Sequence, residues 1–332
     1  MKKFTKLLKR WETLLLVVIL LEIVVFGALN PKFLNVKRLF NSLNNFVPVC
    51  IISLFVTYVM ITGGIDIQSG SIVGLTSIFV GVLWNDAHIN IFVACILGLC
   101  LGALAGLLSG FFVAYTGVQP MVITLGGSFL YSGLALLVTN MSSTEAYQGI
   151  SNFPDAFRAI SKTMIFGVIP SQFAIFLLLV IIATVILHCS KYGRRIFLSG
   201  VNPNAAELSG INTKSVIMST YVLSGLSASI AGILLTAYLG TAKADLGKEY
   251  TLPIITAVVL GGTSNLGGVG GTIGTALAAL SIGLLRIGLS LNGLSTQYLD
   301  IPVGILLIVV VSFRFAKTNP YIVKLFNQRK RK

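Results

Sequence analysis

The stretch "MITGGIDIQSGSIVGL", Met60 to Leu75, sets a carboxylate and an amide two residues apart, Asp66 and Gln68, with hydroxyls at Ser69 and Ser71 and glycines at Gly63, Gly64 and Gly70. These side chains could hold a polar solute by hydrogen bonds. Alternatively, Asp66 could accept bonds from nearby backbone N–H groups and cap a helix. The apolar runs on either side make the question sharper. In hydrocarbon every backbone N–H and C=O needs a partner, so a break of this kind persists only where protein or water surrounds it.

A second interruption, "VVLGGTSNLGGVGGTIG", has a similar layout. Gly64 is followed six residues later by Gly70, and Gly262 six residues later by Gly268, with Asn265 between. Paired glycine-broken segments are the sequence mark of a transport pathway. The pathway candidates are therefore Gly63, Gly64, Asp66, Gln68, Ser69, Gly262 and Asn265. Two further charges lie inside apolar runs. Glu22 needs a polar partner or a tilt that lifts it to the interface, and Arg286 either snorkels or pairs with an acid.

The elements that position these groups are helices in a membrane. Of the 332 residues 55% are hydrophobic and 10% charged, with a mean hydropathy of +0.92, outside the makeup of soluble domains. The apolar runs approach or exceed the ~20 residues that cross a bilayer as helix, and "LLLVVILLEIVVFG" has none of the alternation of a barrel strand. The expectation is an all-α, polytopic protein forming a single transmembrane domain over 1–332. Ten spans fit, at about 13–29, 42–62, 69–84, 91–114, 120–140, 167–189, 216–240, 251–263, 270–290 and 300–315. The third and eighth are short.

Placing both termini in the cytoplasm leaves sixteen Lys/Arg inside and seven outside, as the positive-inside rule favours. Lys32, Lys37 and Arg38 in a short outer loop run against that bias. The formal charge of +14 thus has a membrane explanation, and no nucleic-acid module accompanies it. Gly102, Gly106 and Gly110 share one helix face, which suits close packing within the chain better than a dimer contact. Cys50, Cys95, Cys100 and Cys189 lie in or beside apolar runs without metal-type spacing and are expected to be packing residues.

Chemistry of other kinds finds no foothold. "LGKE" at 246–249 lacks the upstream glycine and following Ser/Thr of a phosphate-binding loop. His88 and His188 are far apart, and no nucleophile elbow occurs. A transport subunit without ATPase activity, cofactor or resident metal is expected. An enzyme using Asp66 and Arg286 on lipid or polyprenyl substrates would lack paired acids and metal-binding motifs; a passive channel would need no ATP.

The longest inner loop, 190–215, reads "SKYGRRIFLSGVNPNAAELSGINTKS". Asn202 or Asn204 can cap a short helix over "AAELSG", stopped by Gly210. Such a helix could meet a soluble partner or only lipid headgroups.

Four stretches, "MITGGIDIQSGSIVGL", "VITLGGSFLYSGLALLVT", "GRRIFLSGVNPNAAELSGI" and "ITAVVLGGTSNLGGVGGTIGTALAAL", occur in order between Tyr58 and Leu280. In these the chain resembles the permease subunits of ABC importers for ribose and other monosaccharides. "LEIVVFGALNPKFLN", "YQGISNFPDAF" and "TAKADLGKEYTLPIITAVVLGG" resemble the branch that imports autoinducer-2, a furanose-like polyol. The resemblance implies a coupling helix that docks on an ATPase, carried by Asn202, Ala206, Glu207, Leu208, Ser209 and Gly210. It also implies a second related permease, a periplasmic solute-binding protein delivering substrate near 145–162, and ATP bound only by the partner. Where many sugar permeases look like GGIDLSVGS, this chain has "GGIDIQSGS", so its ligand could differ from ribose if Ile67, Gln68 and Ser69 line the route.

Overall fold

The computed structural model describes residues 11–144 and 148–318. The basic N-terminal residues, Glu145 and the basic C-terminal tail lie outside the described residues. Fourteen α-helices are present among the described residues: α1 Trp11–Leu29, α2 Val36–Asn44, α3 Val47–Ile61, α4 Ser69–Asn85, α5 Ile91–Tyr115, α6 Pro120–Asn140, α7 Asp155–Lys162, α8 Ser171–Thr184, α9 Lys191–Val201, α10 Pro203–Leu208, α11 Thr213–Leu239, α12 Thr251–Leu260, α13 Thr272–Leu291 and α14 Asp300–Thr318. A π-helical turn, Val185–Cys189, continues α8. One departure from an all-helical chain is a two-stranded hairpin, β1 Met164–Ile165 with β2 Ile169–Pro170.

Six helices are long and apolar enough to cross a membrane, or seven if α2 and α3, bent by 59°, count as one span. The bend divides the expected 42–62 span. It falls at Asn45–Phe46, just before Pro48 at the start of α3, where the missing N–H costs nothing. Shorter apolar helices occupy Ser69–Asn85, Thr251–Leu260 and Asp300–Val310.

Every residue of α3 is buried, because "VPVCIISLFVTYVMI" is apolar all round and has no face to offer water. It is the central post, packed by α8, α11, α12 and α13. Around it, α1, α5 and α6 turn leucines and phenylalanines outward, with Leu20 62%, Leu104 60% and Phe129 74% exposed. Such surfaces suit lipid. Hydroxyl pairs tie helices across the interior, among them Thr57 to Thr275 at 2.8 Å and Ser77 to Thr236 at 2.6 Å. The glycine face of α5 lies on α11: Gly102 meets Ser229 and Gly225, and Gly106 and Gly110 meet Tyr221. Cys50 is buried, whereas Cys100 and Cys189 are exposed.

The segment 241–250 exposes Asp245, Lys248 and Glu249 yet is packed along a helix. It runs antiparallel to α4 from one end of that helix to the other: Ala242 against Gly81, Ala244 against Gly74, Gly247 against Gly70. Thr251 Oγ1 then donates to the Ile67 carbonyl at 3.2 Å. The contact at Gly74 admits no side chain, since a Cβ there would lie 2.2 Å from the Ala244 carbonyl oxygen. The helix α12 begins directly after this inserted segment, and its ten residues cover only about 15 Å.

Candidate functional site: the two helix breaks and the α9–α10 loop

The first break, 62–68, closes α3 and opens α4. Gly63, at φ +83°, turns the chain at the end of α3, a conformation that costs glycine little. Asp66 then sits just before the α4 N-terminus, where helix partial charge favours an anion. Its Oδ1 accepts the Gln68 N–H at 3.0 Å and its Oδ2 accepts the Ser224 hydroxyl of α11 at 2.5 Å. Asp66 therefore holds the turn before α4 and ties it to α11, and only 2% of it is exposed.

Gln68 is fully buried. Its Oε1 accepts the Ser109 hydroxyl of α5 at 2.7 Å, and Ser109 lies 3.1 Å from the Tyr131 hydroxyl of α6, which donates to the Ala105 carbonyl at 2.7 Å. Ser69, also buried, faces Ser224 at 3.5 Å. Gly64 lies against Tyr221 of α11. The polar groups of the first break thus join α4, α5, α6 and α11 into one network inside the chain. Ser109, Tyr131, Tyr221 and Ser224 were invisible in the sequence, each an ordinary small or aromatic residue in an apolar run.

The second break, 261–271, is open where the first is closed. Trp11 of α1 donates its indole N–H to the Leu260 carbonyl at 2.6 Å, and its ring lies beside Gly262. Asn265 is exposed, and Leu266 is 85% exposed. The two breaks meet through backbone: the Gly268 N–H donates to the Ile61 carbonyl at 2.8 Å. Asp66 and Asn265 are not brought side by side in any hydrogen bond.

The α9–α10 loop closes this junction from a third direction. Gly200 lies so close to Ile61 that a Cβ would come within 1.8 Å of its carbonyl oxygen and 2.7 Å of the Gly268 nitrogen. Asn202, not Asn204, caps α10, its side chain accepting the Ala205 N–H at 3.1 Å. Gly210 ends the turn at φ +81°. Ala206 is buried, Glu207 binds the Thr213 hydroxyl, and Ser209 donates to the Ala205 carbonyl at 2.9 Å. Outward the loop presents Leu208, 91% exposed, and Val201, 70% exposed, among the exposed polar residues Asn202, Asn204, Glu207 and Ser209.

Glu22 accepts a bond from Ser281 of α13 at 2.9 Å, so it has a polar partner. Arg286 pairs with Asp300 at 2.6 Å, across the short connection between α13 and α14. It belongs to the end of the bundle opposite the α9–α10 loop. There, three hollows of about 600, 420 and 300 Å³ share Asn45 as a common wall. Lys37 and Arg38 line the 420 Å³ hollow. No cluster of metal-ligating side chains occurs among the described residues.

The architecture is similar to that of a metal-chelate type ABC transporter solved in an inward-facing conformation, with a TM-score of 0.52, 17% identity, and 91% of this chain and 98% of that one covered. That likeness concerns the fold. The autoinducer 2 import system permease protein LsrD of Enterobacter sp. (strain 638) is 40% identical over 304 residues, 92% of each chain. LsrD of Escherichia coli (strain K12) is 40% identical over 314 residues, 95% of this chain and 94% of its own. Residues 38–311 match the family described as the permease component of branched-chain amino acid transport systems. A broken-helix membrane bundle with matches of this length and identity belongs to that family of multi-pass transport permeases.

Proposed function

We propose that this chain is a membrane subunit of an ABC importer that carries autoinducer-2, the cargo named for its LsrD relatives. It crosses the inner membrane ten times, with the bent α2–α3 as one span, α4, α12 and α14 as three short ones, and both termini in the cytoplasm. The carrying observation is the surface at the α9–α10 end: Val201, Leu208 and Leu266 stand 70%, 91% and 85% exposed. Val201 and Leu208 end short helices and Leu266 sits on the turn of the second break. An apolar patch of this kind calls for a protein partner, and an ATPase is the partner an importer needs there.

A second, related permease and a periplasmic binding protein complete the assembly, and ATP binds only the ATPase. Docking pushes on α10, and Gly200 passes the displacement to both breaks at once through Ile61 and Gly268. Asp66, Gln68 and Ser69 hold the α3–α4 turn rigid against α11 and α5 during that motion. Since Gln68 is engaged with Ser109 inside the chain, its departure from the GGIDLSVGS pattern is no argument for or against ribose.

Purified chain in proteoliposomes should hydrolyse no ATP alone, and should import autoinducer-2 with its partner subunits and ATP. Leu208→Asp should abolish that import while leaving the assembled chain in the membrane. ATP hydrolysis by the isolated chain, or import untouched by the substitution, would refute the proposal.

A further inference from the structure

Helix α9 opens with three cations on one face. Lys191, Arg194 and Arg195 are all exposed, and their spacing sets the side chains next to one another, with Cβ atoms about 5–6 Å apart. Like charges at that spacing repel, and the first turn of a helix adds a positive partial charge of its own. The turn is nevertheless held in place. Ser190 accepts the Gly193 N–H at 3.0 Å, Gly193 lies against the Leu187 carbonyl, and the Tyr192 hydroxyl is 2.6 Å from that of Ser219 in α11.

The chain supplies no anion to this cluster. Among the described residues none of the three cations takes part in an ion pair. Of the carboxylates at this end of the bundle, Glu207 accepts the Thr213 hydroxyl and Glu12 stands in the first turn of α1. The terminal stretches 1–10 and 319–332 contain no Asp or Glu. The counter-charge must come from another molecule.

What borders the cluster indicates which one. α8 and its π-helical continuation turn Leu178, Ile181 and Val185 outward, a ridge suited to acyl chains, and Lys191 follows Val185 by six residues. A lipid lying on that ridge carries its headgroup to the three cations. The phosphate of an anionic headgroup accepts charge-assisted hydrogen bonds from the guanidinium groups, whereas a zwitterionic headgroup brings a further cation into the cluster and gains less. The exposed Val201 of the docking patch lies at the other end of α9, about 15 Å away by helix rise, so lipid and soluble partner use different residues.

We infer that Lys191, Arg194 and Arg195 bind the phosphate of an anionic phospholipid in the cytoplasmic leaflet, with its acyl chains along α8. The choice of leaflet rests on the importer reading above.

For the test, the full chain is purified in detergent, stripped of lipid and titrated with phosphatidylglycerol or phosphatidylcholine, and bound lipid is read by native mass spectrometry. The triple variant Lys191→Gln/Arg194→Gln/Arg195→Gln should raise the Kd of the tightest phosphatidylglycerol site about 100-fold, each charge near an anionic surface being worth about fivefold, and leave phosphatidylcholine binding unchanged. Arg194→Lys/Arg195→Lys keeps the charge and should bind far more tightly than the glutamine variant. Arg195→Gln alone, expected to cost about fivefold, serves if the triple variant does not accumulate. Neutralising Lys37, Arg38 and Lys162 at the other end of the bundle should leave the site untouched; an equal loss there would mean that net charge alone is read, and would overturn the inference. It is likewise overturned if the triple variant binds phosphatidylglycerol as the unsubstituted chain does, if millimolar inorganic phosphate displaces the lipid, or if the ATPase no longer co-purifies with an importer carrying the triple variant, which would mark a protein contact. Labelling of Arg195→Cys by an impermeant maleimide outside the cell would overturn the leaflet assignment and the topology it rests on, whatever the titration gives.

Discussion

The two helix breaks share a glycine spacing and little else. In 62–68 the polar side chains are folded inward and bonded: Asp66 to Ser224, Gln68 to Ser109, with exposures of 2% and 0%. In 261–271 the interior contacts are made by backbone, by the buried Thr263 and by the Trp11 ring, while Leu266 stands 85% exposed. One break is a locked joint and the other a surface. Glycine spacing records only where a chain leaves the helix. The residues between the glycines, and the helices that receive them, decide what the irregular backbone is for.

The comparison breaks most completely at the point where both halves touch. Gly200→Val would drive a side chain into the Ile61 carbonyl and the Gly268 N–H, so the protein should fail to accumulate in membranes, as read by immunoblot; wild-type levels would mean that the junction yields freely. Next in size is a separation of stability from transport. Leu266→Asp should reduce ATP-driven import at least ~10-fold with an unchanged melting temperature, because it adds charge at a surface and removes no interior contact.

Asp66→Ala should do the reverse, lowering stability by about 2–3 kcal/mol as the Ser224 hydroxyl and the Gln68 N–H lose their acceptor in a buried site. Asn265→Ala in the other break should stay within about 0.5 kcal/mol, and equal losses in detergent melts would erase the distinction. Ser109→Ala should cost roughly 1 kcal/mol by leaving the Gln68 carbonyl oxygen without a donor.

The smallest effect lies outside the bundle, at Asp86. Burial pushes its carboxyl up, but the side chain and backbone N–H of Ser143, with the Ser142 hydroxyl, more than offset this and hold it at about 2. A depressed carboxyl stabilises the fold above the ordinary carboxylate range. That contribution fades as the pH falls through about 2. Asp86→Asn should flatten the acid limb of a melting curve between roughly pH 4 and 2.

Much of this protein was legible in order of residues alone. Helix boundaries such as 120–140 and 91–114 follow from where apolar runs stop, because the bilayer requires internally satisfied backbone and length fixes the rest. The capped turn over α10 follows from an asparagine, a proline and a glycine at fixed offsets, a purely local matter. The positions of both breaks were likewise local.

Partners were not. Ser224 lies 158 residues from Asp66, and Asp300 meets Arg286 only because a short turn returns the chain to the end of α13 before α14 packs on α12. No periodicity marks one serine in an apolar helix as an acceptor's partner and another as filler. The packing of the segment 241–250 along α4 is hidden from the sequence for a related reason. Four charges in ten residues signal water, and a sequence cannot distinguish water outside a membrane from water held in a hollow within the protein. Hydrophobic pattern, glycine and caps set the helices and their interruptions, since those are decided by each segment against its solvent. Which break is sealed, which is bare, and where the charged segment lies depended on long-range packing, since only the assembled helices supply the hydroxyls and the small-residue surfaces that settle it.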